Sequence, residues 1–257
     1  MDSLEPVLPA PHLTGADLEA FKRDGFVVRR GAFDSSAMRA VQDWAAEMLA
    51  RPEISGRHWV FHEKSKSDGG DLVSRIENIV PFHAGFRALC DALAGPVGQV
   101  LGERAVLFKE KINFKMPGGD GFKAHQDSQA GWEAYASYFI TAVLCIDRAT
   151  VENGCLRLAA GHQDRGLFRA WEPLTAQDMA GMRFEDYPTE PGDLILFDSY
   201  TPHESEPNRS AAIRRMYFAT FNRASEGDHM ARYYADKHRN YPPDIDRDPS
   251  RKYVFRV

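Results

Sequence analysis

A chain of 257 residues has the length of one large domain, and 43% apolar with 27% charged residues is ordinary for a soluble globular protein with a sizeable core. A net charge of −5 argues against nucleic acid as a partner, and no apolar run approaches the roughly 20 residues of a membrane helix. The start of the chain is neither basic nor strongly apolar, so it does not read as a secretory signal; three cysteines without CxxC spacing, Cys145 and Cys155 in apolar stretches, fit buried thiols in a reducing cytoplasm.

Residues 1–13 are rich in proline and read as an irregular arm. Thr14 and Asp17 form a capping box with Asp in the place of Glu, Leu18 and Phe21 follow on one helical face, and Gly25 is the stop. Phe26-Val27-Val28 is a short strand. A second helix starts near Ser35 or Ser36 with Met38, Val41, Ala45 and Met48 on one stripe. Phe86, Leu89, Leu93, Val97 and Val100 mark a third, with Gly95-Pro96 placed to break it.

Beyond residue 104, short apolar runs alternate with turn signals, and strands are expected at 105–116, 122–127, 138–146, 155–159, 194–198 and 212–222. Asn153-Gly154 reads as a hairpin turn, and 117–121 and 191–193 as further turns. Many short strands predict a mostly β fold, a sandwich or jelly roll with helices packed on one side. The expected organisation is a single domain over 1–257: a mainly helical part (1–103), a jelly-roll core (104–222), and a charged C-terminal wrap without clear period (223–257).

His125-Gln126-Asp127 offers a histidine and a carboxylate two residues apart, which at a strand end point to one side while Gln126 faces away. Mononuclear Fe(II) that activates oxygen takes two His and one carboxylate on one face and leaves the other positions open. The same tripeptide recurs at His162-Gln163-Asp164, so the motif alone does not choose between them. Among nine histidines, His203 stands out as a donor from a facing strand, because it follows the apolar run 194–197 and a tight Thr201-Pro202 step.

Phe26-Val27-Val28, Lys109-Glu110-Lys111-Ile112-Asn113, His125-Gln126-Asp127, Glu152-Asn153-Gly154-Cys155-Leu156, Pro191-Gly192-Asp193, His203 with Ser205, and Arg214 occur in that order. Together they resemble the phytanoyl-CoA dioxygenase family of Fe(II)/2-oxoglutarate oxygenases, over residues 18 to about 222. The resemblance implies a double-stranded β-helix, a cupin-like jelly roll with iron at its open mouth. It also selects His125, Asp127 and His203 as the ligands, because the family's pair precedes the Glu-Asn-Gly turn; His162, after Ala160-Gly161, matches a histidine that is not a ligand.

Arg214 follows His203 at the family's spacing and is implied as the partner of the far carboxylate of 2-oxoglutarate, which a guanidinium fork meets with two hydrogen bonds. Arg215 should point to the opposite face. Ser205, Asn113 and Lys109 are implied as further 2-oxoglutarate contacts. Lys109, Lys111, Asn113 and Lys115 share one face of their strand and Phe108, Glu110, Ile112 and Phe114 the other, so the basic row either meets solvent or lines the barrel mouth. The implied reaction consumes O2 and 2-oxoglutarate, releases succinate and carbon dioxide, and hydroxylates an unactivated C–H. A zinc hydrolase, or a non-catalytic jelly-roll binding protein, would give no use for Arg214 or for a complete ligand set.

The partner expected is a small molecule; the sequence carries no signal for oligomeric state. The run Lys109 to Gly119, continuing to Gly121-Phe122 and His125-Gln126-Asp127, resembles the branch that hydroxylates 2-aminoethylphosphonate and its N-methylated forms, and also the ectoine hydroxylases. That implies a small anionic or zwitterionic substrate, with an amino acid or ectoine-like compound as the alternative. Lys111 and Arg75 are candidates for an anionic head; Trp132, Tyr135 and Tyr200 for a cationic ammonium, with Gln129 as a further contact.

Overall fold

The computed structural model describes residues 8–254. In chain order the elements are α1 (Gly15–Asp24), β1 (Phe26–Arg29), α2 (Ser35–Ala50), β2 (Trp59–Lys64), β3 (Asp71–Glu77), α3 (Ala84–Leu101), β4 (Ala105–Lys115), β5 (Phe122–His125), β6 (Phe139–Cys145), β7 (Leu156–Ala159), β8 (Phe184–Tyr187), β9 (Leu194–Asp198), β10 (His203–Ser205), β11 (Arg214–Arg223) and α4 (Met230–Asn240). A seven-stranded sheet runs β1-β9-β6-β11-β4-β3-β2 and a four-stranded sheet β5-β10-β7-β8. Antiparallel throughout, the two sheets make the jelly roll that the turn-rich second half predicts.

The central strand β6 is buried on both faces, which is why it reads as an apolar run interrupted only by Thr141. Alternate residues separate the two cores. Ile140, Ala142, Leu144, Leu194, Leu196, Tyr217 and Ala219 meet the helices, while Val143, Cys145, Ile195, Phe197, Met216 and Phe218 meet the small sheet. The helices begin as read: Thr14 and Asp17 close a reciprocal capping box, and Gly25 ends α1 at φ 81. Asp34 caps α2, and its stripe of Met38, Val41, Ala45 and Met48 is buried. All three cysteines are free and buried. No helix among the described residues is long and apolar enough to cross a membrane.

Several expectations are corrected. Pro96 does not break α3, which runs through it to Leu101. A proline inside a helix costs about 3 kcal/mol. Phe86, Leu89, Leu93 and Val97 are all fully buried, and each such side chain is worth about 1.5–3 kcal/mol, so packing outweighs the proline. Asn153-Gly154 forms a tight turn, with Gly154 at φ 74, but it joins β6 and β7 of different sheets and is a corner rather than a hairpin. Strands β2, β3, β8 and β10 were not anticipated, nor was α4 within the tail. β3 escapes the pattern because its inward residues Arg75 and Glu77 are buried charges beside Asn113 and Lys111.

The parity of β4 also breaks once. Thr220 pairs with Lys109 and Phe221 with Leu107, so Phe108 is the extra residue of a bulge. Its ring therefore packs with Trp132, Tyr135, Phe139 and Tyr233, away from the core that Ile112 and Phe114 enter.

Candidate metal centre and its cavities

His125 ends β5 and His203 opens β10, and the two are register partners across that pair. Asp127 is not on the strand as expected; it starts a short 3-10 turn, Asp127–Ala130. Gln126 between them is fully buried, its Nε2 donating to the carbonyls of Gly166 and Tyr200 and its Oε1 accepting from Phe168 N. That anchoring swings the next residue back toward the histidines. His125 Nε2 and His203 Nε2 lie 3.9 and 3.8 Å from Asp127 Oδ1, and one donor atom from each residue falls within 4.8 Å of the others.

Two backbone carbonyls set the tautomers. His125 Nδ1 donates to Lys123 O at 2.7 Å and His203 Nδ1 to Thr201 O at 3.0 Å, leaving each Nε2 lone pair to face the carboxylate. Thr141 Oγ1 donates to Asp127 Oδ2 at 2.9 Å and leaves Oδ1 to the histidines. Burial, with His203 beside it, pushes His125 down to about 3, and burial lowers His203. Burial works to raise Asp127, but His203, Lys109 and His125 outweigh it and hold the carboxyl below its usual range. At neutral pH the three are thus two neutral imidazoles and a carboxylate, the protonation states a metal requires. Two nitrogens and one oxygen on one face are the donor set of oxygen-activating Fe(II) sites. The second tripeptide is elsewhere: His162 lies in a surface turn with Nδ1 3.3 Å from Arg165.

Two cavities meet at this trio. A small inner one, about 30 Å³, is bounded by His203, Asn113, Ser205 and Arg214. Three of the residues implied for 2-oxoglutarate are therefore brought together. The Arg214 side chain is buried, with Nη2 donating to Gly154 O at 2.8 Å and Nε facing no acceptor; burial draws it down to about 10. Asn113 Oδ1 is likewise buried without a partner. Arg215 points the other way, onto Asp147 with contacts of 2.7 and 2.8 Å, as strand parity requires. Lys115, which sequence reasoning left as a possible solvent-facing lysine, is buried and donates to Ser205 Oγ at 2.7 Å and to Glu206 O. The Ser205 hydroxyl thus has its own proton left to donate. Gly154 closes this floor, since a Cβ there would stand 2.1 Å from Glu206 O and 2.9 Å from Lys115 Nζ.

The outer cavity, about 640 Å³, opens from His125 and Asp127 toward α4. Of the residues named for the substrate, Arg75, Lys111, Trp132 and Tyr135 line it; Lys109, named for 2-oxoglutarate, lines it too and does not line the inner cavity. Gln129 and Tyr200 line neither. Gln129 Oε1 accepts from Gln126 N and its Nε2 donates to Glu172 O, so its amide holds the Asp127 turn. Tyr200 contributes its carbonyl to Gln126. Sequence reasoning missed Glu77, Tyr233, Asp236 and Lys237 on the cavity wall. The spacing of Tyr233 and Lys237, four residues apart on one helical face, was the available signal. Burial would raise Glu77, but Lys237 and Arg75 hold it down to about 2. Burial, together with Lys109 and Arg75, lowers Lys111 to about 7.

Comparison with known proteins agrees with this architecture. The family model described as phytanoyl-CoA dioxygenase (PhyH) matches residues 21–216. A 2-aminoethylphosphonate dioxygenase of the uncultured bacterium HF130_AEPn_1 is 38% identical over 237 residues, covering 91% of this chain and 90% of that protein. A methylphosphonate hydroxylase of Gimesia maris is 35% identical over 233 residues, covering 89% and 88%. The crystal structure of EctD from S. alaskensis with 2-oxoglutarate and 5-hydroxyectoine superposes with a TM-score of 0.72 at 19% identity, covering 88% of this chain and 86% of that one. With the jelly roll, the His–Asp–His trio at its mouth and a family match across most of the chain, this protein belongs to the phytanoyl-CoA dioxygenase family of enzymes.

Proposed function

We propose that the chain is an Fe(II)- and 2-oxoglutarate-dependent dioxygenase that hydroxylates a C–H of a small phosphonate, with 2-aminoethylphosphonate and its N-methylated forms as first candidates. The observation that carries this is the placement of His125, Asp127 and His203 between an inner cavity ending at Arg214 and an outer one lined by lysines. The relatives named for phosphonate substrates, at 38% and 35% identity, support the choice of anion.

Iron bound by the trio would supply oxygen activation, coupled to decarboxylation of 2-oxoglutarate to succinate. The protein does the rest. The guanidinium of Arg214 receives the far carboxylate of 2-oxoglutarate, its unpartnered Nε and the Ser205 hydroxyl supplying donors. Leu156, Phe122 and Phe218 wall the inner cavity and keep water from the bound keto acid. Lys109 and Lys111 draw the anionic end of the substrate to the trio's outer side.

The test couples metal content to turnover. His125→Ala should abolish Fe(II) binding and the succinate formed from 2-oxoglutarate with 2-aminoethylphosphonate, while His162→Ala keeps both. Loss of iron in the His162 variant alone would reverse the ligand assignment, and succinate formation with no phosphonate consumed would refute the substrate.

A further inference from the structure

Resting on that reading, we infer that the outer cavity selects its substrate by the phosphonate group and does not read the amine. Four of the aromatic residues lining the cavity, Trp132, Tyr233, Tyr135 and Tyr241, already face the protein's own cations. Lys109 Nζ stands 4.2 Å from the Trp132 ring centroid and 5.9 Å from that of Tyr233. The Arg232 guanidinium lies 4.9 Å from Tyr135, and that of Arg247 4.5 Å from Tyr241. A substrate ammonium against any of these faces would share the ring's negative potential with a like charge.

The carboxylates of the wall are equally engaged. Asp127 belongs to the metal trio. Glu77 is held between Arg75, at 2.7 Å, and Lys237. Asp236 accepts the Tyr135 hydroxyl at 2.8 Å and pairs with Arg239. None is left to fix a substrate amine.

The anionic end meets the opposite situation. Lys109 and Lys111 have no carboxylate within ion-pair distance among the described residues; their ammonium groups rest against rings, Lys111 Nζ being 5.2 Å from Phe218 and 5.8 Å from Phe122. Both lysines are half-buried and feel Asp127 and Glu77 from beyond contact distance, but among the described residues neither ammonium has a hydrogen-bonded carboxylate of its own, so an anion set between them would meet donors with no direct partner. The Arg75–Glu77–Lys237 cluster lies on the same wall; burial draws Lys237 down to about 7, and an arriving anion favours its charged form. A carboxylate would offset one charge with two oxygens, whereas a phosphonate dianion offers two charges and three acceptor oxygens, which ammonium donors can meet from several sides.

The experiment compares four ligands of the Fe(II)- and 2-oxoglutarate-loaded enzyme by anaerobic isothermal titration calorimetry, with aerobic product analysis alongside. The ligands are 2-aminoethylphosphonate, its N,N,N-trimethyl form, ethylphosphonate, and the monomethyl ester of 2-aminoethylphosphonate. Compared as their dianions, with each affinity corrected for the ligand's own second phosphonate ionisation, the first three should bind within about three-fold of one another and all be oxidised, because the desolvated aromatic cage that would spread them by roughly thirty-fold is already filled. The monoester, with half the charge, should bind at least about ten-fold more weakly. Lys111→Met should weaken the first three by a common factor. Ethylphosphonate binding more than about ten-fold below the amine, or a Lys111 effect confined to the amines, would overturn the inference while leaving a phosphonate enzyme. Failure of all four to bind would overturn the phosphonate reading itself.

Discussion

Arg214 and Arg215 are adjacent, chemically identical and opposite in consequence. Arg214 reaches the inner cavity, whereas Arg215 is spent on Asp147. Arg214→Ala should raise the KM for 2-oxoglutarate roughly ten- to a hundred-fold, since a hydrogen bond to a charged group is worth about 1.5–3 kcal/mol. Arg215→Ala should lower thermal stability and leave that KM unchanged; equal KM effects at both positions would contradict the register of β11. Lys115 adds a pH signature. Burial, then Arg214, draws it down to about 6. An unfolded lysine keeps its proton to about pH 10, so between these values the folded chain binds fewer protons and this group's contribution to stability rises with pH. A dicarboxylate beside Arg214 favours the charged form again. Binding of 2-oxoglutarate at pH 8 should therefore take up on the order of one proton. Calorimetry in buffers of different ionisation enthalpy measures it, and Lys115→Met should remove it; persistence in that variant would assign the proton to another group.

Helix α4 shows how an element outside the jelly roll completes the cavity. The Tyr234 hydroxyl accepts from Glu110 N at 3.1 Å and donates to Glu110 O at 3.0 Å, satisfying both backbone groups of one β4 residue. That contact seats α4 against β4 just beyond the bulge at Phe108 and brings Tyr233 and Lys237 to the cavity wall. Tyr234→Phe would leave those groups buried and unpaired, at a cost of about 1–3 kcal/mol. The melting temperature should fall by a few degrees, and substrate KM should rise more than the KM for 2-oxoglutarate, because the inner cavity has no wall from α4. An unchanged melting curve would show that water replaces the hydroxyl. Neither the helix nor the bulge stands out in the sequence. The tail is strongly charged, and the bulge is defined only by the strand that β4 meets.

Across the whole molecule, a net charge of −5 surrounds a cavity whose deep wall is cationic. The KM for a phosphonate should rise with ionic strength, because salt screens the exposed part of the attraction over a Debye length of about 10 Å at 0.1 M. The value of kcat should hold, since the buried contacts are screened far less. Steady-state kinetics across a sodium chloride series checks this, and a flat KM would remove the electrostatic account of recognition. The sequence by itself determined the elements whose signal is local: the Thr14 capping box, the α2 stripe, the alternation that turns Arg214 inward and Arg215 outward, and the order of motifs that singles out His125, Asp127 and His203. It could not determine what depends on partners distant in the chain. Pro96 is tolerated because α3 packs on a sheet formed later, and Phe108 changes sides because β11 pairs past it. Trp132 and Tyr135 look free to hold an ammonium until Lys109 and Arg232 are found against their rings. Periodicity and motif spacing are carried by neighbouring residues, but whether a charge or a ring is already engaged is settled only when the chain closes on itself.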